Sequence, residues 1–367
     1  MLEERIRVLE QTVRALQEQS GQSENSEAVR EVDALQADAV PPVSSDPART
    51  KPVEVSGYLF GDYYWMAAHH DQELEDQNGF WVRRAYLTFD RSLRRDLDVR
   101  FRLEVNSAGD FESGSKLQPL TKDAYVRWKL AARHEAYMGL SSTPTWNLVE
   151  EIWGYRAVER TLADLQKLGS SRDLGVALRG SLDSESRVRY HFMVGNGSGT
   201  GSETNEGKKV SFSLGFRPLD SLVLEFYGDY ESLPLDADQQ TLQGFVGYER
   251  PWGRLGLQFV HQSRDGLQDL ELDGLSLFGV YRLSPRVSFF GRYDRMFDPN
   301  PEGAGIAYLP FDPGARSNLF LTGLDFRVSE DFSLMPNVEL IRYDEQREDG
   351  SRPGMDVIPR LTFFYTF

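Results

Sequence analysis

The chain contains no cysteine, which removes disulfides, thiolate metal ligands and thiol nucleophiles together. It has no apolar run near the ~18 residues that a spanning helix needs. Positive charge is in deficit. Lys and Arg number 41 against 57 Asp and Glu, a formal charge of −16, so the basic face that nucleic-acid phosphates demand is missing. Histidine is sparse: His69, His70, His134, His191 and His261. Met1 runs directly into LEERIRVLEQTV, without the basic segment and apolar core of a secretory leader. From the pattern that follows it, rather than from this N-terminus, the numbered chain is expected to be a mature form with its signal removed.

What the chain has instead is aromatic residues and glycine, with 22 Phe, 16 Tyr, 6 Trp and 32 Gly. Their arrangement divides it into three. In residues 1–17, Leu2, Ile6, Leu9, Val13 and Leu16 are spaced 4, 3, 4 and 3, the seam of a short coiled-coil helix. Ile6 and Val13 at one core position, with leucine at the other, favour two strands. Residues 18–52 are rich in Ser, Glu, Asp, Ala and Pro, the composition of a flexible linker. From 53 to 367, apolar and polar residues alternate. LDVRFRLEV sets Leu97, Val99, Phe101, Leu103 and Val105 against Arg100, Arg102 and Glu104. KDAYVRWKL sets Ala124, Val126, Trp128 and Leu130 against Asp123, Tyr125, Arg127 and Lys129. RVRYHFMV sets Val188, Tyr190, Phe192 and Val194 against Arg189, His191 and Met193. A period of two is the strand signal.

The breaks between strands are of two kinds that alternate strictly. Short ones fall at RSLRRD, AAR, DSES, PLDS, RPWG, SPR and SED. Long ones cover 68–79, 108–121, 142–171, 196–207, 233–239, 264–272, 298–316 and 346–353. Seven short turns and eight long loops separate 16 strands. Strands of roughly 9–13 residues are long enough to cross a bilayer at a tilt. A soluble sandwich would use strands of about 5–6 residues and has no reason to sort its loops by length. The reading is an all-β fold: a 16-stranded antiparallel transmembrane β-barrel over 53–367, with a short N-terminal coiled-coil helix. Its apolar face meets lipid and its charged face lines water. In the last strand Met355, Val357, Leu361, Phe363, Tyr365 and Phe367 then point outward, and Asp356, Arg360, Thr362 and Thr366 inward.

FWVRRAYLTFD (Phe80–Asp90) resembles the second-strand motif of the phosphate-selective porin O/P family, where paired arginines precede Ala and Tyr. RDLGVALRG (Arg172–Gly180) resembles that family's strand after its third loop. With its helix, linker, 16 strands and terminal aromatic, the chain looks like a trimeric bacterial outer-membrane porin. The resemblance implies a homotrimer in outer-membrane lipid, a third loop folded into the lumen, and a periplasmic linker and coil. A trimer conflicts with the two-strand preference of the coil; the larger barrel is expected to decide. The ending at Phe363, Tyr365 and Phe367 resembles the signal read by the barrel-assembly machinery.

Residues 1–52 hold six basic and ten acidic residues, leaving 35 and 47 for 53–367, a formal charge of −12. Lysine is scarce, which departs from a phosphate selector. Local rings of charge rather than net charge set selectivity. A basic wall is expected from Arg84, Arg100, Arg102, Arg127, Lys129, Arg179 and Arg189, with acidic inward residues later: Glu225, Asp229, Asp294, Asp325 and Glu339. In the third loop, Glu150, Glu151, Arg156, Glu159, Arg160 and Asp164 either face that wall, giving a transverse field, or pair with one another on a helix over AVERTLADLQKL. Both readings stand at this point.

His69 and His70 with Asp71 read as a solvated loop tip rather than a metal site. No nucleophile with an oriented histidine marks a hydrolase, and GNGSGTGS lacks the Lys and following helix of a phosphate-binding loop. The expectation is a non-enzymatic channel, without cofactor, for passive diffusion of small hydrophilic solutes and ions. The alternatives are a substrate-selective anion channel of the phosphate type, and a tether whose coil holds the outer membrane to peptidoglycan.

Overall fold

The computed structural model describes residues 52–111, 114, 116–234, 237–266, 269–344 and 351–367. The helix expected over 1–17, and all but the last residue of the linker, lie outside the described residues.

Sixteen antiparallel strands form one closed barrel. They are β1 (Glu54–Trp65), β2 (Asn78–Arg94), β3 (Leu97–Asn106) and β4 (Gln118–Ala131). Then come β5 (His134–Ser142), β6 (Arg172–Ser181), β7 (Val188–Gly195) and β8 (Lys209–Leu219). β9 (Leu222–Glu231), β10 (Gln239–Arg250), β11 (Gly253–Arg264) and β12 (Leu270–Ser284) follow. The last are β13 (Val287–Met296), β14 (Ser317–Arg327), β15 (Phe332–Tyr343) and β16 (Asp356–Thr366). Each strand pairs with its chain neighbours, and β1 closes on β16. The short turns and long loops fall at opposite rims, as their strict alternation requires.

Alternation decides which side chains reach the outside. Along β10, Leu242 and Val246 are exposed outward, while Thr241, Gln243 and Phe245 are buried inward. Met138, Val176, Phe192, Leu257, Phe259 and Leu277 extend the exposed apolar belt. Rings border it at both rims. Trp252, Tyr281, Phe289, Phe326 and Tyr365 lie near the short turns; Tyr63, Trp65, Phe80, Tyr230 and Phe320 lie near the long loops. This is the distribution that a lipid slab with two polar interfaces selects.

Closure leaves no free strand edge. The seam runs from Tyr58↔Thr366 to Tyr64↔Arg360, and Gly57 and Phe367 exchange both backbone hydrogen bonds at 3.0 Å. The outward ring of Phe367 lies over Gly57, where a Cβ would stand 2.3 Å from it, and Phe363 lies likewise over Gly61. Two glycines of the first strand are thus roofed by two aromatics of the last.

Candidate functional site

A barrel of this size is too wide for its own side chains to fill. The β5–β6 loop, residues 143–171, occupies part of the lumen. It carries two short helices, α1 (Asn147–Trp153) and α2 (Leu162–Leu165). The single helix expected over AVERTLADLQKL is therefore corrected. Its first half is irregular, while NLVEEIW, with Leu148, Val149, Ile152 and Trp153 on one face, forms the longer helix. Those four residues are buried, with Trp146, Leu162, Leu165 and Leu168. All but Leu165 pack on an apolar inner wall built by Val223, Phe245, Val260, Leu272, Phe278 and Phe290, while Leu165 packs with Ile306, Leu309 and Phe311. Water-facing strands would not carry such residues; they are there to receive the loop.

A buried loop must satisfy its own backbone. Here barrel side chains do so. Gln243 donates to Thr145 O (2.8 Å), Gln262 to Leu168 O (2.9 Å) and Arg254 to Trp153 O (3.1 Å). Arg83 donates to Val158 O (2.6 Å), and Arg292 to Arg160 O.

The loop takes part in a buried ionic cluster. Arg360 joins Glu339 (2.8 Å) and Asp62 (3.2 Å). Arg83 joins Glu159 (2.7 Å) and reaches Asp62 (3.5 Å), and Arg160 joins Glu159 (3.2 Å). The β13–β14 loop enters as well. Ile306, Leu309 and Phe311 are buried, and Tyr308 OH donates to Ser107 O at 2.7 Å under the Arg83 guanidinium. Six charges from β1, β2, β15, β16 and the inserted loop thus interlock, which fixes the loop more sharply than apolar contact alone.

The other face of the loop looks toward β1–β6. There Arg156 is held by Glu150 and Asp164. These three pair within the loop, whereas Glu159 reaches Arg83 of β2. Glu151 is exposed and stands 3.7 Å from Arg217. On the wall, Glu104 is shared by Arg84 (2.6 Å) and Lys122 (3.0 Å). Asp123 is shared by Arg102 (3.2 Å) and Arg172. Arg156 lies within electrostatic range of Arg84 and Lys122, and Lys122 within range of Arg172. Five cations and four carboxylates therefore face one another across this gap.

Three wall residues were not on the sequence-based roster: Arg83, Lys122 and Arg172. Two of them are the extra residues of register shifts. Phe60 pairs with Arg84 and Gly61 with Val82, which leaves Arg83 as a bulge. Arg102 pairs with Asp123 and Leu103 with Thr121, which leaves Lys122 as another. A bulge turns a residue that strict alternation would send to lipid back toward the lumen. The third, Arg172, opens β6 beside Ser171.

No family model matches the chain, and no curated protein matches it in sequence. Solved structures do. An anion-selective porin from Comamonas acidovorans superposes with a TM-score of 0.61 at 12% identity, over 86% of this chain and 99% of that one. Salmonella typhi OmpF in complex with daunomycin gives 0.62 at 12%, over 86% and 97%. OmpT of Vibrio cholerae in its trimer form gives 0.55 at 11%, over 86% and 99%. The chain has the porin fold.

In this porin-fold barrel the remaining expected residues fall as follows. Arg100 pairs with Asp90 (2.7 Å), and Arg127 (2.7 Å) and Lys129 (3.0 Å) share Asp98. Arg179 lies over the Tyr137 ring and donates to Ser142, without a carboxylate in contact among the described residues. Arg189 is exposed beside it. With Arg95, Arg133 and Lys129 they line a cavity of about 780 Å³ that opens toward the short turns. A second cavity, about 680 Å³, is lined by Arg254, Arg282, Arg286 and Arg327 with Glu150 and Asp325. Among the described residues, Arg282, Arg286 and Arg327 have no carboxylate partner, so the short-turn mouth is basic on both sides of the loop.

The acidic residues of the later strands are engaged. Glu225 accepts from Ser213 (2.6 Å), Asp229 pairs with Lys209 (3.2 Å), Asp294 with Arg292, and Asp325 accepts from Tyr155 (3.1 Å). His69 and His70 are not at a solvated tip, which corrects that expectation. His69 is 6% exposed and the His70 side chain 7%, because their loop folds back onto β16.

Proposed function

We propose that the chain is an outer-membrane porin, a homotrimer whose barrels are water-filled channels for passive diffusion of small hydrophilic solutes and ions. The divided lumen carries this reading. One side of it is packed around the inserted loop, and the other is lined by fixed charges of both signs. A dedicated binding protein would desolvate its ligand in an apolar, enclosed pocket; here the unfilled space is polar and opens at the rim. Arg84, Arg100, Arg102, Arg127, Lys129, Arg179 and Arg189 form its basic wall, with Glu150, Arg156 and Asp164 opposite. The linker and coil would then lie in the periplasm, at the short-turn rim, within reach of peptidoglycan. Phe363, Tyr365 and Phe367 are proposed as the ending read by the barrel-assembly machinery.

A second reading, an anion-preferring channel of the phosphate type, is favoured by one observation. The short-turn mouth carries arginines without carboxylate partners, whereas the gap beside the loop is nearly balanced. Fixed charge at a pore mouth raises the local concentration of the opposite ion. The test is the reversal potential of single channels in a KCl gradient. Anion preference that falls in Arg179→Ser and Arg189→Ser supports this reading. Cation preference in the wild type contradicts it and leaves general diffusion.

A further inference from the structure

The long-loop rim holds a cluster that the channel does not use. Residues 66–77 fold back so that Ala68 and Val357 exchange backbone hydrogen bonds. This sets His70 against Asp356, the first residue of β16. The His70 amide donates to Asp356 Oδ1 (2.6 Å), and its Nδ1 lies 3.0 Å from both carboxylate oxygens. Asp356 is fully buried, and Tyr343 OH donates to its Oδ2 at 2.7 Å. The His69 ring stands 4.3 Å from that of His70. His69, His70 and Asp356 each offer a donor atom, all within 4.8 Å of one another.

From this geometry we infer a divalent transition-metal site of two imidazoles and one carboxylate, with Zn²⁺ as its natural class of ion. Three facts support it. His69 Nε2 is buried and has no hydrogen-bond partner, an orphan that native structures rarely keep without a ligand. His69 Nδ1 lies 3.2 Å from the Asp71 carbonyl and also receives the Asp71 amide N–H at 3.0 Å; in the tautomer that donates Nδ1–H to the carbonyl, Nε2 is a lone-pair donor, the arrangement usual for metal-bound imidazole. Two nitrogens with one oxygen suit zinc and its neighbours rather than Ca²⁺ or Mg²⁺, which prefer oxygen alone. Tetrahedral zinc at ~2.0–2.1 Å from its ligands separates donors by about 3.3 Å. Side-chain rotations that draw the three together would therefore complete the site, with water as fourth ligand. Such an ion would fasten the first long loop to the last strand.

The test uses the full-length protein in detergent, stripped by a chelator and titrated with Zn²⁺ against a chromophoric competitor. One saturable ion per chain is expected, with affinity at least tenfold weaker in His69→Ala and Asp356→Asn and unchanged in His134→Ala. His69→Ala is the deciding variant should Asp356→Asn fail to fold, because the His69 side chain bonds only the Asp71 backbone. Heat-modifiable gel mobility reports the fold. No saturable uptake by the wild type, or uptake unchanged in folded His69→Ala, would overturn the site and leave a hydrogen-bonded clip.

Discussion

Trp153→Ala tests the packing of the inserted loop. Trp153 is fully buried at the end of α1, edge-on to Phe278 at 5.2 Å and to Phe290 at 6.3 Å. Its Nε1 donates to Glu159 O at 2.8 Å. Truncation removes on the order of 200 Å² of buried surface, about 5 kcal/mol at ~25 cal/mol/Å². That agrees with the ~3–5 kcal/mol usual for Trp→Ala in a core. The stranded carbonyl adds about 1 kcal/mol. Trp153 lies in no strand of the ladder, so the loss falls on loop docking. At about 1.4 kcal/mol per factor of ten, the undocked population rises on the order of ten-thousandfold. In planar bilayers the variant should give larger, noisier single-channel steps, and limited proteolysis should cut within 143–171 while the barrel keeps its heat-modifiable mobility. Trp153→Phe, which keeps most of the ring contact, should shift the population roughly tenfold or less. Wild-type conductance and protease resistance in a folded Trp153→Ala barrel would refute the packing argument.

Arg360→Met leaves Glu339 and Asp62 buried without their shared cation, at a cost of about 3–5 kcal/mol; an unaltered heat-unfolding temperature would sink that estimate. Burial opposes charge on Glu159, but Arg83 and Arg160 overcome it and hold its carboxyl far below the ordinary 4.5. Because the folded pKa is depressed, its contribution to docking is complete above pH 4.5 and drains away as pH falls toward the folded value. Protease sensitivity of 143–171 should therefore appear only in that acid window, and Glu159→Gln should flatten the dependence. Deleting Phe367 uncovers Gly57 and should lower the yield of assembled barrel in vivo, with normal conductance in the molecules that assemble; normal yield counts against it.

Much of the architecture was readable in the strands. Period-two alternation in LDVRFRLEV and KDAYVRWKL places Arg100, Arg102, Arg127 and Lys129 on the inner face, and alternating loop lengths fix the strand number. What alternation hides is where it is broken. Arg83 and Lys122 belong by parity to the outside, and only the bulges opposite Gly61 and Leu103 turn them in. The apolar residues at 148, 149, 152 and 153 are a helical stripe that attention to the loop's charges obscured. Phe245, Val260 and Phe278, apolar on faces that should be wet, were the matching signal. The histidine cluster was beyond local reading: His70 and Asp356 are 286 positions apart, and only the folded-back loop brings them together.

The central claim, an open polar lumen narrowed by residues 143–171, is tested most directly by liposome swelling in sugars of graded size. The account predicts swelling that is fast for the smallest sugar and declines steeply with size, with the cutoff moving upward in Trp153→Ala. A folded, membrane-inserted protein that swells liposomes with no sugar would contradict it.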